Sequence, residues 1–205
     1  MSGCCDGGCS IDALREERQL GTLKIVLGIN AVMFIVIAGA AVYGGSTALL
    51  ADSLDNFGDA LTYALSMYAV TRSTNTKAKV ALFKGILILV AALVVSAQVI
   101  YKIFVPGLPI FEVMGAFSLL GLVANSVCLF LLWRHRNEDV NMSSVWECSR
   151  NDIASNISVF IAAGAVWFTG SGWPDIAVAV GLVFFLLRSA VRVISSAKRE
   201  LHAST

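Results

Sequence analysis

The chain has 205 residues, of which 57% are hydrophobic and only 14% charged, with 15 Lys and Arg against 14 Asp and Glu. A soluble domain is about half apolar and about a quarter charged, so this balance excludes most soluble enzymes and indicates a membrane protein, as does a mean hydropathy of +0.78. A net charge near zero gives no electrostatic reason to expect nucleic acid as a partner.

The chain opens with "MSGCCDGGCSIDALREERQLGTLK". This stretch has no basic region followed by a short apolar core, so it is not a signal peptide. It reads as a cytosolic tail over residues 1–23. Cys4, Cys5 and Cys9 form a cluster there, and a reducing cytosol keeps them as free thiols. They are expected to capture a soft metal. The spacing lacks a fourth zinc-finger ligand, which a second chain of a dimer would supply.

A membrane-spanning helix needs about 20 mostly apolar residues. Six segments meet that need: 24–43, 47–70, 80–105, 113–133, 144–169 and 173–195. The expected fold is therefore an all-α integral membrane protein. It has a six-helix transmembrane domain over 24–196 and a short polar tail over 197–205. "GGS" and "TGSGWPD" read as Gly-rich turns, and "PGLPIFE" carries two prolines that end a helix. Pro174 suits the first turn of the sixth helix. All the Lys and Arg residues except Lys102 fall on one side of this topology, which predicts that both termini are cytosolic. Trp133, Trp146, Trp167 and Trp173 fall near the predicted interfaces and read as an aromatic belt.

The second segment contains "LLADSLDNFGDAL", with Asp52, Asp55 and Asp59. Carboxylates at membrane depth are costly and mark function. Asp55 and Asp59 are an i, i+4 pair on one helical face near mid-membrane. Asp52 is one turn further out, where interfacial solvation and a metal role are equally open. The fifth segment carries "SVWECSRNDIASNISV", in which Cys148 and Asp152 form a second i, i+4 pair. The second and fifth helices cross in opposite directions. Packed together they would present Asp55, Asp59, Cys148 and Asp152 to one point, an O/S donor set suited to a divalent cation. Cys148 also reads as a small hydrophobe, as does Cys128. Asn30, Asn56, Asn125 and Asn156 read as interhelical hydrogen-bonding groups or supports for the ligands.

"GSTALLADSLDNFGDAL" resembles the second membrane helix of the cation diffusion facilitator family. "SRNDIASNISVFIAA" and "GWPDIAVAVGLVFFLLRSAVRVI" are similar to that family's fifth and sixth helices. The resemblance implies a transporter, not an enzyme. It implies efflux of Zn²⁺ or a related divalent ion by proton antiport, in a homodimer, with Asp55, Asp59, Cys148 and Asp152 as the transport site. The metal is cargo, and no prosthetic group is expected. Three departures stand out. The family commonly has His or Asp where this chain has Cys148, and thiolate shifts the expectation toward Zn²⁺ or Cd²⁺. The loop "RHRNEDVNM" is not rich in His. The chain also reads as a short form without the family's cytosolic C-terminal domain, so a dimer would rest on small membrane residues such as Gly115, Gly121, Gly164 and Gly181. The compact form suggests a bacterial cytoplasmic membrane. Two other readings remain: an intramembrane Mg²⁺-dependent phosphotransferase, whose upstream Asp-Gly and Ala-Arg elements are missing here, and an uncoupled metal permease.

Overall fold

The structure is a computed structural model that describes the backbone of residues 6–69, 74–133 and 140–203. Side chains are described over most of 17–65, 79–133 and 149–201. It contains six helices: α1 Asp6–Gly44, α2 Thr47–Ala69, α3 Thr74–Phe104, α4 Phe111–Trp133, α5 Val140–Thr169 and α6 Trp173–Ala203. No strand occurs among the described residues. Five of the helices are long and apolar enough to cross a membrane. The sixth, α2, has 23 residues, about 34 Å at 1.5 Å per residue, and is set apart by Asp52, Asp55 and Asp59 rather than by length.

Each expected span lies within one helix, except that residue 105, the expected end of the third, falls just past α3, and residue 70, the expected end of the second, lies outside the described residues. Several helices run well past the apolar segments. α1 begins at Asp6, so helix continues through the stretch expected as a tail. Its "IDALREERQL" run is rich in strong helix formers, and nothing in it stops a helix that the membrane has already nucleated. α3 likewise starts at Thr74, α5 at Val140, and α6 runs on to Ala203.

The turns follow from glycine. Gly45 has φ +63°, and Gly45 N donates to Val42 O at 3.4 Å while Ser46 N donates to Ala41 O at 3.0 Å. This is a Schellman ending for α1, which a residue with a Cβ would strain. Gly170 has φ +60° and closes α5 through Gly170 N to Val166 O at 2.9 Å. Consecutive antiparallel helices place both described chain ends at one end of the bundle. The α1–α2 turn, residues 105–110 and the α5–α6 turn lie at the far end.

The helices associate most extensively as three pairs: α1 with α2, α3 with α6, and α4 with α5. Apolar side chains point outward as well as inward. Ile35, Val42, Phe83, Val94, Phe130, Phe168 and Phe185 are all exposed. Asn30, Asp52, Asn56, Ser118, Asn125, Asp152, Asn156 and Asp175 are buried instead. An apolar exterior around a polar interior suits a hydrocarbon solvent and not water. An apolar groove of about 320 Å³ between α1 and α2 is lined by Phe34, Phe57 and their neighbours and holds no aspartate.

Small residues allow the closest approaches. A Cβ on Gly85 would lie 2.7 Å from Ile194 Cγ1 and 3.2 Å from Ile194 N, so α3 and α6 touch nearly backbone to backbone there. Gly121, expected among small residues for a dimer, instead lets α4 approach Asn156 of its own chain. Gly164 and Gly181 do face outward with nothing within 4 Å. Trp133, Trp167 and Trp173 are exposed as a belt requires. Trp146 departs from that expectation. It is half-buried against the Leu23, Val26 and Tyr63 cluster, with Arg150 Cζ 5.5 Å from its ring.

Gly85→Leu is expected to overpack the α3–α6 contact and destabilise the bundle by about 1–3 kcal/mol. Gly39→Leu, on an open face of α1 with nothing within 4 Å, should change stability little. Melting of the purified protein in detergent checks this; equal loss in both variants would contradict the packing account.

Candidate metal centre

α2 and α5 run antiparallel and meet through polar side chains in a regular register. Tyr63 and Ser149 hydroxyl oxygens are 3.4 Å apart. One turn on, the carboxyl groups of Asp59 and Asp152 lie within hydrogen-bonding distance of each other. One further turn on, Ser155 Oγ donates to Asp55 Oδ2 at 3.4 Å. Positions on α2 fall by four as those on α5 rise by three, which is the pattern of two facing helical stripes. Tyr63 also donates its hydroxyl to Asp59 Oδ2 at 3.0 Å, an i, i+4 contact along α2.

The Asp59–Asp152 contact decides the chemistry. Two carboxylates face to face repel, and they hold together only with a proton or a cation between them. Asp152 is 8% exposed, and its Oδ2 has no hydrogen-bond partner. Asp55 and Asp59 are half-buried. Asp55 and Asp52 both lie close enough to Asp152 to act on it electrostatically, and Lys84 of α3 is close enough to act on Asp59. A buried group with a free oxygen lone pair is incomplete until a donor or cation reaches it.

Asp52 differs from the interfacial, solvated reading. It is 1% exposed, and both carboxylate oxygens lack a donor. The asparagines show why donors are scarce. Asn56 Nδ2 donates to the Asp52 backbone carbonyl at 3.1 Å, and Asn156 Nδ2 donates to that of Asp152 at 2.8 Å. Each amide is thereby fixed on the carbonyl one turn before it, leaving its own Oδ1 unpartnered. The interior between these helices is rich in acceptors.

The expected fourth ligand, Cys148, belongs to α5, but its side chain lies outside the described residues. Cys4 and Cys5 also lie outside them, and so does the side chain of Cys9. Among the described residues, no three His, Cys, Asp or Glu side chains stand close enough to form a metal cage. What α2 and α5 bring together is the Asp59–Asp152 pair, with Asp55 held one turn away by Ser155.

Four neighbours of this centre escaped the sequence reading. Tyr63, Ser149 and Ser155 sit at i+4 from Asp59 and at i−3 and i+3 from Asp152, so helical spacing was a sufficient signal. Cys128 of α4 gave none, because a cysteine within "LVANSVCLFLLW" looks like any small hydrophobe. It is fully buried, accepts from Asn30 Nδ2 at 3.9 Å, and is close enough to Asp152 and Asp59 to interact electrostatically.

Carboxyl groups from α2 and α5 thus meet inside a bundle of six helices, five of them apolar enough to cross a membrane, which is the architecture of a polytopic membrane protein. The family model described as "Cation efflux transmembrane domain" matches residues 23–202, and the chain belongs to that family. It is similar to "Cation efflux system protein CzcD" of Alcaligenes sp. (strain CT14), 26% identical over 194 residues, covering 84% of this chain and 61% of the relative. It is also similar to "Metal cation efflux system protein CzcD" of Cupriavidus metallidurans, 25% identical over 194 residues with the same coverage of 84% and 61%. The chain thus spans about 61% of the length of the curated relatives it matches. Membership in a transporter family sets the phosphotransferase reading aside.

Asp152→Asn removes one of two facing carboxyl groups while keeping the shape. At pH 8 it is expected to raise the melting temperature of the metal-free protein by about 2–4 °C, the shift that roughly 1 kcal/mol gives at this chain length. Differential scanning measurements decide it, and a lowered melting temperature would show that the pair stabilises the fold.

Proposed function

We propose that this chain exports a divalent metal ion, Zn²⁺ or Cd²⁺, across a bacterial cytoplasmic membrane in exchange for protons. The observation that carries this reading is the contact between Asp59 and Asp152, two carboxyl groups from facing helices that need a proton or a cation between them. Asp55, Asp59, Cys148 and Asp152 are the proposed ligands. Asp52, buried with two free oxygens, is the proposed auxiliary acceptor one turn toward the far end. The cation efflux names of the two relatives agree with metal as cargo.

The mechanism follows from charge. Three carboxylates and a thiolate total −4, and one M²⁺ leaves −2, which is expensive in hydrocarbon. At least one ligand therefore keeps a proton when the ion is bound, or the ion uses fewer than four ligands. Metal and protons then occupy the same oxygens in turn, and the set titrates as a unit. Protons arriving from one side displace metal to that side. Thiolate at Cys148 biases the site toward softer ions than Mn²⁺ or Mg²⁺. Cys4, Cys5 and Cys9 are proposed to hand a soft ion to this site. The chain works as a homodimer, for which the outward-facing Gly164 and Gly181 offer close-packing surfaces.

In proteoliposomes, Zn²⁺ or Cd²⁺ flux should depend on an imposed pH gradient and fall to background in Asp59→Ala. Flux that ignores the gradient would indicate a permease, and flux that survives in Asp59→Ala would remove this site from the pathway. Cys148→His is expected to shift preference from Cd²⁺ toward Zn²⁺. Identical Cd²⁺/Zn²⁺ ratios in both proteins would show that Cys148 does not touch the ion.

A further inference from the structure

The far end of α2 is held by a buried cluster that the proposed transport site does not use. The first N–H groups of a helix lack partners within it. Ser46 supplies part of the need as N-cap: Leu49 N donates to Ser46 Oγ at 3.0 Å, and Leu50 N donates to Ser46 O at 3.3 Å. The remaining two N–H groups find a carboxylate from another helix. Thr47 N donates to Asp175 Oδ2 at 2.9 Å, and Ala48 N donates to Asp175 Oδ1 at 3.0 Å. Ser46 Oγ itself donates to Asp175 Oδ1 at 2.6 Å.

Asp175 is the third residue of α6 and is fully buried. Its carboxylate lies at two helix N-termini at once, its own and that of α2, where both dipoles favour negative charge. Lys102, in the last turn of α3 and only 9% exposed, has its Nζ 3.9 Å from Asp175 Oδ2. Lys102 also donates to the Gly45 carbonyl in the α1–α2 turn. Each Asp175 oxygen thus has partners, whereas Asp52, about one and a half turns deeper on α2, has none on either oxygen. Neighbouring backbone closes round the cluster. Ile110 N donates to Gly44 O at 2.8 Å, and Gly172 packs on the Gly107 carbonyl.

The cluster ties the α1–α2 turn to both members of the α3–α6 pair, directly between the acceptor-rich interior and the far surface. Ala51, on α2 between the cluster and Asp52, is fully buried. We infer that Asp175, Lys102 and Ser46 form a gate: a charge-assisted clasp that closes the far end of the ion path and must part before an ion can leave there. The inference rests on the proposed path along α2 and α5. It assigns Asp175 and Lys102 a gating role, not a ligand role.

The test reads access to the interior without any metal present. In an Ala51→Cys protein, a membrane-impermeant maleimide is applied from the face holding the α1–α2 turn, and labelling at position 51 is followed by mass spectrometry. With Asp175 and Lys102 intact, position 51 should be protected. Asp175→Asn and Lys102→Met should each speed labelling by about tenfold or more, as expected for loss of charge-assisted hydrogen bonds. Glu112→Gln, which neutralises an exposed carboxylate at the same end of the bundle, should leave labelling unchanged. Equal labelling with and without the clasp, or an equal rise in Glu112→Gln, overturns the gate. Should Ala51→Cys fail to fold, amide hydrogen exchange over residues 47–51 in Lys102→Met, whose side chain bonds none of those amides, serves instead; unchanged exchange overturns the gate and a rise of about tenfold supports it. A clean gate result alongside absent metal flux would sink the transport reading alone.

Discussion

The structure depends on one constraint: carboxyl groups sit where hydrocarbon surrounds the protein. Asp59 and Asp152 cannot both carry charge against each other without a proton or cation between them. Everything near them fits that need. Tyr63 donates to Asp59, Ser155 donates to Asp55, and the asparagines turn their N–H groups to backbone carbonyls and leave acceptors inward. An interior so rich in oxygen acceptors gains from a positive species and gains little from an apolar one.

Holding α2 at the right height is a separate problem, because the oxygen stripe on α2 must meet the stripe on α5. Lipid offers no hydrophobic force to press helices together, so packing and polar contacts must do it. Pairing of α1 with α2 and of α4 with α5 brings the two carboxylate-bearing helices into one bundle. The clasp at Asp175 fixes the far end of α2 against α6 and α3. One helix thus carries a run of carboxyl groups at its middle and has its N-terminus capped by the Asp175 carboxylate of α6.

Much of this was legible in the sequence, because membrane helices are long apolar runs and carboxylates inside them stand out. The six helices, the Gly45 and Gly170 turns and the i, i+4 spacing of Asp55 with Asp59 all follow from local pattern. Helix ends were less legible: "IDALREERQL" is polar, yet it extends α1 because helix propensity does not need apolar residues. Tertiary partners were least legible. Gly121 serves its own chain's Asn156, Trp146 turns inward, and Asp52 is buried rather than interfacial, since which face of a helix meets protein depends on crossing angles that spacing does not encode. Asp175 and Lys102 lie 73 positions apart in sequence, and nothing local announces their meeting.

The central claim is that Asp59 and Asp152 act on the ion as one unit. Equilibrium Cd²⁺ binding to the purified protein, measured for the wild type, Asp59→Asn, Asp152→Asn and the double variant, tests it directly. The account predicts strong coupling: either single change removes most of the affinity, and the second adds little. Losses that simply add, or a single variant that binds Cd²⁺ as tightly as the wild type, would contradict it.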